Sequence, residues 1–586
     1  MAGRSPEADD RPSFLIGPPL AAAALVGLVL FAILIANGRP IGAGDTRPTE
    51  RVAASLVGEG DFDLDEFPEV EDPFARTVGA HRVSIYPVLS AVLAAPVFLA
   101  AQAAFLLDET GTALAGKWAA SLFTAVAAVA LFLLVGRRHP HVEAAWTAGL
   151  FALGTSMWST SQALWQHPAA VLFLCVALLF LARAEQDDVW AGRAGLPLAL
   201  AVAARHADAA LVAVLVIGIA VRWPRRLPAL LAWAAPVAAL LLAYQWWYFG
   251  SPLRHGFSGS GARFSEPWGH GHLALLVSPA KGLLVFTPVV IVALAGLASA
   301  YRRGERWLAA TLGAAAAAHW ILIGRWSEWH GGESWGPRMM TDALPLLFVF
   351  LPDGFNVMPR VAPALAVVSV AVQALGAFSY DYRWERLHGR GGADAGRGPG
   401  ATALWDVVRS PIPFYLQRRV VLFALPGVKD GRAHVREHPV VVAGSTGSRV
   451  TFSSDPPRVD GAETTLGDVH LQRGARIEDG RVRLRGRWDG VQFRVAPGAR
   501  RRRLELRISG RGQGVLYVGE KTFWSEQPRW AAYPVSGAFR LRHPYDYATS
   551  GGPDVMVTIG KSPGEIDLES MALVAPGDPA NPVRDR

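Results

Sequence analysis

One cysteine, Cys175, occurs in 586 residues, and it sits inside an apolar run. That excludes an intramolecular disulfide and a thiolate metal cluster, and leaves Cys175 as a small buried hydrophobe. The glycine-rich cradles of nucleotide enzymes are also missing: there is no GxxxxGK[ST] and no dinucleotide fingerprint in a βαβ setting. No internal inverted repeat with matching broken helices is found, which speaks against the common architecture of secondary transporters. The acidic run Asp61-Phe62-Asp63-Leu64-Asp65 lacks the glycine and the distal glutamate of a calcium loop, and is read as a solvated turn.

Apolar sequence is what the chain has in quantity. Hydrophobic residues make up 51% of it and are gathered into runs of Ala, Leu and Val near 113–136, 144–158, 168–182, 207–221, 229–249, 283–299, 308–324, 343–352 and 361–379. A helix that spans a bilayer needs ~20 residues, so these runs predict a polytopic α-helical membrane protein of about 10–12 membrane helices, several of them broken or re-entrant. The first run, 14–36, lacks a clean small-residue cleavage site and reads as an uncleaved first helix. The net charge of +8 matters less than where its basic residues lie, and nucleic acid is a poor partner for such a chain.

Basic clusters at Arg137-Arg138, 183–193, 222–226, 302–306 and Arg360 mark the cytoplasmic ends. Residues 1–13 then form a cytoplasmic N-terminus, 14–380 a membrane domain, and 37–83 its first external loop. Every chemically rich stretch falls on the outer face: "WSTSQALWQH" (158–167), "YFGSPLRHG" (248–256), "SPAKG" (278–282) and "GGESWGPR" (331–338). Two stretches resist a simple crossing. With Arg137 inside, residues 84–107 must begin and end outside, which predicts a re-entrant or interfacial helix broken at Pro96 or else a misassigned span elsewhere. Residues 198–218 carry Arg205, His206 and Asp208 in an apolar setting, where charge costs ~2.5–3.5 kcal/mol, so two half-helices are expected to meet there. Arg205 then lies at a cavity floor or in a structural pair with Asp208.

After about residue 430 the pattern alternates with period two, in "HPVVVAG", "RVRLRGRW", "GVQFRVAPG", "RRLELRISG", "GVLYVGE" and "PDVMVTIG". Short alternating strands with turn residues between them predict an all-β sandwich, jelly-roll-like, over 431–586, outside the membrane and joined by a linker at 381–430. Trp488, Tyr517, Trp524 and Trp530 are candidates for sugar contact, with core or turn packing as the simpler reading. The run Arg500 to Arg503 suits anionic head groups or polymer, or a plain solvated loop.

The outer-face residues suggest a reaction on a lipid-linked donor. Asp45 follows the first helix closely, between Gly44 and Thr46, and a carboxylate at the lipid boundary can take the proton of an acceptor hydroxyl. Lys281, Arg205 and Arg338 are candidates to hold a lipid phosphate and stabilise the charge on the leaving group. Glu333, Trp335 and His167 are candidates to shape the sugar or acceptor site. Gly331 and Gly332 permit a tight turn, Pro337 opens the next helix, and Arg338 and Asp342 are expected on one side of it.

Read in order, "GDTRPTERVAASLVGEGDFDLDEF", "YPVLSAVLAAPVF", "ALWQHPAAVLFL", "SPAKGLLVFTPVV", "WHGGESWGPRMMTDALP" and "ALWDVVRSP" resemble bacterial polytopic glycosyltransferases of the GT-C superfamily. These are distant relatives of the protein O-mannosyltransferases and the lipid A aminoarabinose transferase. The similarity covers roughly residues 14–410 and is specific as an ordered set. It implies an inverting transfer of a sugar from a polyprenyl-phosphate carrier to a glycan, lipid or protein acceptor on the outer face of the plasma membrane. It also implies Asp45 as the base and interfacial helices in the first external loop. Two departures stand out: the superfamily's adjacent acidic pair is Asp45-Thr46 here, and its Arg-Pro is Arg205-His206. No cofactor is expected, and metal dependence stays open. A lipid or polysaccharide transporter, or a non-catalytic envelope scaffold with a carbohydrate-binding β-domain, are the competing readings.

Overall fold

A computed structural model describes residues 20–67, 70, 74–79, 81–104, 109–258, 263–382, 384–385, 401–408 and 410–416. In the C-terminal part it describes 448–451, 458–460, 466–472, 476–479, 481–485, 490–495, 504–522, 529–545, 555–561 and 565–574. The chain divides into two compact units, residues 1–380 with 388–424, and residues 381–387 with 425–586.

The first unit is helical. In chain order it contains α1 (Leu20–Ile35), α2 (Arg47–Gly58), α3 (Leu89–Ala103), α4 (Glu109–Val135), α5 (His141–Leu153), α6 (Ser156–Thr160), α7 (Gln166–Ala184), α8 (Val189–Arg193) and α9 (Gly195–Ala204). It continues with α10 (Ala209–Arg222), α11 (Leu227–Phe249), α12 (His270–Val277), α13 (Leu283–Phe286), α14 (Val290–Arg302), α15 (Arg306–Gly324), α16 (Leu344–Phe348), α17 (Leu351–Val357) and α18 (Ala362–Ser379). Among the described residues five stretches are long and apolar enough to cross a membrane: 111–135, 166–184, 224–249, 306–324 and 362–379. Four more, at 20–35, 89–103, 189–204 and 290–302, are apolar and shorter. The 224–249 stretch turns Leu231, Trp233, Leu240, Leu242, Trp246 and Trp247 outward, an apolar surface of the kind a bilayer covers. The protein is thus a multi-pass helical membrane protein by its own composition and helix lengths.

The interruption expected in 198–218 is present. α9 stops at Ala204, residues His206–Asp208 form one 3₁₀ turn, and α10 resumes at Ala209. By contrast, α3 runs through Pro96 without a break, because a helix can tolerate the missing N–H where neighbours pack around it. Its buried face, Ala91, Ala94 and Phe98, joins Val52 and Ala53 of α2 and Ala115, Ala119 and Phe123 of α4 in one core. The segment between α1 and α3 is therefore packed onto the helices; with its hairpin of β1 (Ala75–Val78) and β2 (His81–Ser84), it is a folded element.

α2 forms where it does for local reasons. Pro48 is preorganised for the first turn, Glu50 faces the positive end of the helix dipole, and the buried positions Thr49, Glu50, Val52, Ala53 and Ser55 lie on one side. The link that precedes it is held by a buried network. Lys117 of α4 donates to Asn37 Oδ1 and, at 2.9 Å, to the Arg39 carbonyl. Asn37 Nδ2 in turn donates to Gln162 Oε1 at 2.8 Å and to the Ala377 carbonyl at 2.7 Å. A lysine with 0% exposure inside an apolar helix costs desolvation that only such partners offset. Its effect is to fix the chain eight residues before Asp45.

The second unit is all-β and antiparallel. Its strands are β3 (Ser448–Thr451), β4 (Arg458–Asp460), β5 (Leu466–Gln472), β6 (Arg476–Glu478), β7 (Arg481–Leu484), β8 (Gly490–Val495), β9 (Leu504–Thr522), β10 (Arg529–Tyr545), β11 (Val555–Lys561) and β12 (Glu565–Val574). β9 and β10 pair along their whole length, from Tyr545↔Leu504 to Arg529↔Glu520. The other edge of β9 is shared, residues 505–513 pairing with β12 and 516–522 with β11. Two wings follow, one through β12 to β3 and β4 and to β7 and β6, the other through β11 to β8 and β5. "RRLELRISG" and "GVLYVGE", two strands by their pattern, are thus one long strand, whose Leu506, Ile508, Leu516 and Val518 alternate inward. Tyr517 is half-buried on it. "HPVVVAG", Trp488, Trp524, the Arg500 to Arg503 run, the glycine-rich 389–400 segment and the side chain of Trp530 lie outside the described residues.

Candidate functional site

Asp45 sits in the turn between the anchored link and α2. Its backbone is set by Thr46 N–H and Thr46 Oγ1, which both donate to the Ala43 carbonyl, at 3.1 and 3.0 Å. A side chain at Gly44 would meet the Phe74 ring at 2.7 Å, so this turn needs a glycine. One carboxylate oxygen, Oδ2, accepts from Nη2 of Arg338; the other, Oδ1, is buried without a hydrogen-bond partner. Burial pushes the Asp45 carboxyl above the ordinary aspartate range, and the Arg338 guanidinium opposes that rise. The pair joins residues 293 positions apart in the chain.

Arg338 is itself held on two sides. Its Nε donates to the Gly331 carbonyl at 2.8 Å, and its guanidinium carbon lies 3.9 Å from the ring centroid of Trp165. Gly331 and Gly332 have φ of +72° and +61°, the left-handed region, so the tight turn expected from the two glycines is present. Lys281 lies under that turn with 0% exposure. Its Nζ donates to the carbonyls of Gly332, at 3.1 Å, and Ser334. The ammonium is thus committed to the loop that carries Arg338. Trp335, 2% exposed, packs against Phe286, Tyr380 and Tyr415 and donates to the Val372 carbonyl at 3.1 Å. Its ring is a core anchor in this structure, where the sequence offered it as a flat face to a ligand. Glu333 is half-buried on the same loop.

After Pro337 the chain forms a 3₁₀ helix, Arg338–Ala343, and this corrects one expectation. With 3.0 residues per turn, positions four apart do not stack. Arg338 goes to Asp45, and Asp342 goes elsewhere: its Oδ2 lies 2.8 Å from His167 Nδ1 and 3.0 Å from Arg205 Nη1. Arg205 also pairs with Asp208 at 3.1 Å, and His319 lies behind, with Nδ1 3.7 Å from Asp208 Oδ1. Of the predicted site residues, the structure therefore joins Asp45 to Arg338, His167 to Arg205 through Asp342, and Lys281 to the loop before Arg338. One short helix carries a partner of each ion cluster, its two acidic and basic positions about 8 Å apart along the axis.

Several residues of the site carried no usable signal in the sequence. His319 is a lone histidine in a run of alanines, and Trp165 stands in an aromatic-rich stretch. Tyr86, whose hydroxyl pKa is raised by burial and then by the Asp45 charge, looks like an ordinary loop tyrosine. The acidic run of the first loop needs a correction. Asp63 is 4% exposed, not solvated, and its Oδ2 lies 3.0 Å from His81 Nδ1 because residue 63 bridges to Val83 of β2. Asp63, Asp65 and His81 form one group with spacing suited to a metal ion; Asp61, Asp63 and Glu66 form a second, and Asp208, His319 and Asp342 a third.

Glu50 is the other residue that sequence reasoning passed over. It is buried, its Oε1 has no hydrogen-bond partner, and burial raises its carboxyl to about 8. The unfolded chain releases this proton near 4.5, the folded one near 8, so Glu50 costs stability increasingly as pH rises between those values. Glu50→Gln is expected to match the native protein near pH 4.5 and to exceed it by roughly 3–5 kcal/mol at pH 8. Thermal unfolding in detergent across that range checks it; parallel curves for the two proteins would contradict it.

No protein-family model matches the chain, and no curated protein sequence matches it. Among solved structures, ArnT from Cupriavidus metallidurans bound to undecaprenyl phosphate is 14% identical, with a TM-score of 0.41, covering 61% of this chain and 63% of that one. The Archaeoglobus fulgidus oligosaccharyltransferase in complex with Zn and sulfate is 13% identical, with a TM-score of 0.37, over 61% of this chain and 53% of that one. The same enzyme tethered to an acceptor peptide containing the NVT sequon is 12% identical, with a TM-score of 0.37, over 62% and 56%. The chain thus spans between about half and five-eighths of the length of these structures.

Proposed function

We propose that this protein is a membrane glycosyltransferase that moves a sugar from a polyprenyl-phosphate carrier to a cell-envelope acceptor, with inversion, on the outer face of the plasma membrane. The observation that carries the proposal is the contact of Asp45 with Arg338 just beyond the first helix, with one carboxylate oxygen buried and unpartnered. Burial makes the Asp45 carboxylate more basic than a solvated one, while the Arg338 guanidinium opposes that rise by favouring the ionised form. In the reaction, the acceptor hydroxyl gives its proton to Asp45 and its oxygen bonds to the anomeric carbon. The bond from that carbon to the phosphate oxygen breaks, and its electron pair leaves with the lipid phosphate.

Arg338, 11% exposed in its side chain, is the cation placed to meet that phosphate. Lys281 and Arg205 support it: Lys281 holds the 331–334 turn, and Arg205 holds the far end of the 3₁₀ helix through Asp342. His167 fixes the same aspartate from α7, and Glu333, half-buried on the 331–334 turn, is assigned to orient a sugar hydroxyl. The polyprenyl-phosphate donor is the class implied by the ordered motifs. The β unit is assigned to the outer side, as an accessory to acceptor handling.

The test is turnover. The full chain in nanodiscs, given a labelled undecaprenyl-phosphate sugar and an extract of cell-envelope acceptors, is expected to release undecaprenyl phosphate and to label an acceptor. Transport of intact donor across a proteoliposome without release of the phosphate would instead favour a transporter.

A further inference from the structure

Behind Arg205 lies a group of acceptors with no proton to share. His319 is fully buried, and its Nε2 lies 2.9 Å from the Met339 carbonyl oxygen. A carbonyl only accepts, so Nε2 carries the proton of the neutral ring and Nδ1 is left as a lone pair. That lone pair has no hydrogen-bond partner, and neither has Asp208 Oδ2 or Asp342 Oδ1. All three residues have 0% exposure. The remaining oxygens, Asp208 Oδ1 and Asp342 Oδ2, are both met by the same Arg205 nitrogen, at 3.1 and 3.0 Å. Asp342 Oδ2 also lies 2.8 Å from His167 Nδ1, but two buried carboxyl groups that share one guanidinium nitrogen are costly to ionise together unless a further cation shares the space. One ligand atom from each of the three side chains lies within 4.8 Å of the others.

We propose that Asp208, His319 and Asp342 bind a divalent first-row transition cation of the zinc or manganese class. One imidazole and two carboxylates suit that class, and bonds of about 2.0–2.2 Å are reached by a short inward movement of the side chains. The Met339 carbonyl on the far ring nitrogen is the outer partner that a ligating histidine commonly has, and it fixes the tautomer that frees Nδ1. The ion ties α15 to the break between α9 and α10 and to the 3₁₀ helix that bears Arg338. Binding of the ion is expected whether or not the protein turns over a donor.

The experiment uses the full chain, purified in detergent without a histidine tag, with Asp63→Asn and His81→Ala in the background, which removes the shared ligand of both first-loop groups. After chelation and exposure to Zn²⁺, metal analysis is expected to find about one zinc per chain, and Co²⁺ is expected to give a visible absorption band displaced by Zn²⁺. His319→Gln, whose amide can still donate to the Met339 carbonyl, is expected to weaken zinc binding at least about tenfold and to abolish the band. The thermal midpoint is expected to rise with Zn²⁺ in the background protein and to stay fixed in the variant. No zinc above buffer level and no cobalt band in the background protein would overturn the site, as would equal zinc in His319→Gln. The cobalt band is read on the parent protein, so the test stands even where the variant does not fold.

Discussion

Asp45→Asn is expected to lower the turnover number for sugar transfer by about 10²–10⁴-fold while leaving donor binding and the thermal midpoint close to native. The amide has the shape of the carboxylate, and its oxygen can still accept from Arg338, so the 44–46 turn and the contact to the 3₁₀ helix survive. What it lacks is basicity. The proton of the acceptor hydroxyl then has no receiver just beyond helix one, and the transfer slows in its chemical step. The measurement is release of undecaprenyl phosphate under single-turnover conditions, with donor affinity determined separately. A loss confined to KM, or a large drop in midpoint with normal turnover, would make Asp45 a structural partner of Arg338 and not the base. Asp45→Glu places the carboxylate one methylene further out and is expected to recover a small part of the rate.

Much of the helical unit was legible in the sequence because it rests on hydrophobic length and on the positions of arginine clusters. The break at Arg205 was legible for the opposite reason: charge in an apolar run demands an interruption, and the 3₁₀ turn at His206–Asp208 supplies it. The first loop was legible only as a place of chemistry. Nothing in Asp61 to Asp65 shows that Asp63 bridges to a strand twenty residues on, since a β-bridge depends on which segments the fold brings side by side. Lys281 and Arg338 show the same limit. Both were recognised as cations at the ends of helices, but what each side chain faces is set by the glycine turn at 331–332: the Gly332 carbonyl, with that of Ser334, takes Lys281, and the Gly331 carbonyl takes Arg338 Nε and leaves its Nη2 to Asp45. The buried Lys117 and Glu50 were missed because single charged residues have no period, and their partners lie on elements far away in the chain.

Arg205→Met tests how much of the site's order rests on its innermost ion cluster. Methionine fills a similar apolar volume but removes the only positive side chain within pairing distance of Asp208 and Asp342 among the described residues. In chelator-treated, metal-free protein two buried carboxyl groups are then left facing each other across the break in the helix, and the folded state is expected to lose about 3–5 kcal/mol, read as a lower thermal midpoint in detergent. Lysine at this position restores the charge, but its shorter side chain reaches the two oxygens that Nη1 meets less well and has no second nitrogen for Met339 Sδ, so Arg205→Lys is expected to lie between the two. Converting the partners to amides in the same chain, as Arg205→Met with Asp208→Asn and Asp342→Asn, removes the repulsion and is expected to recover most of the stability. It leaves the turnover low, because Asp342 no longer positions the 3₁₀ helix against His167. If Arg205→Met alone were as stable as the native protein, the two carboxylates would have to be neutralised by something other than Arg205, and its role in holding the Asp342 end of the 3₁₀ helix would fall.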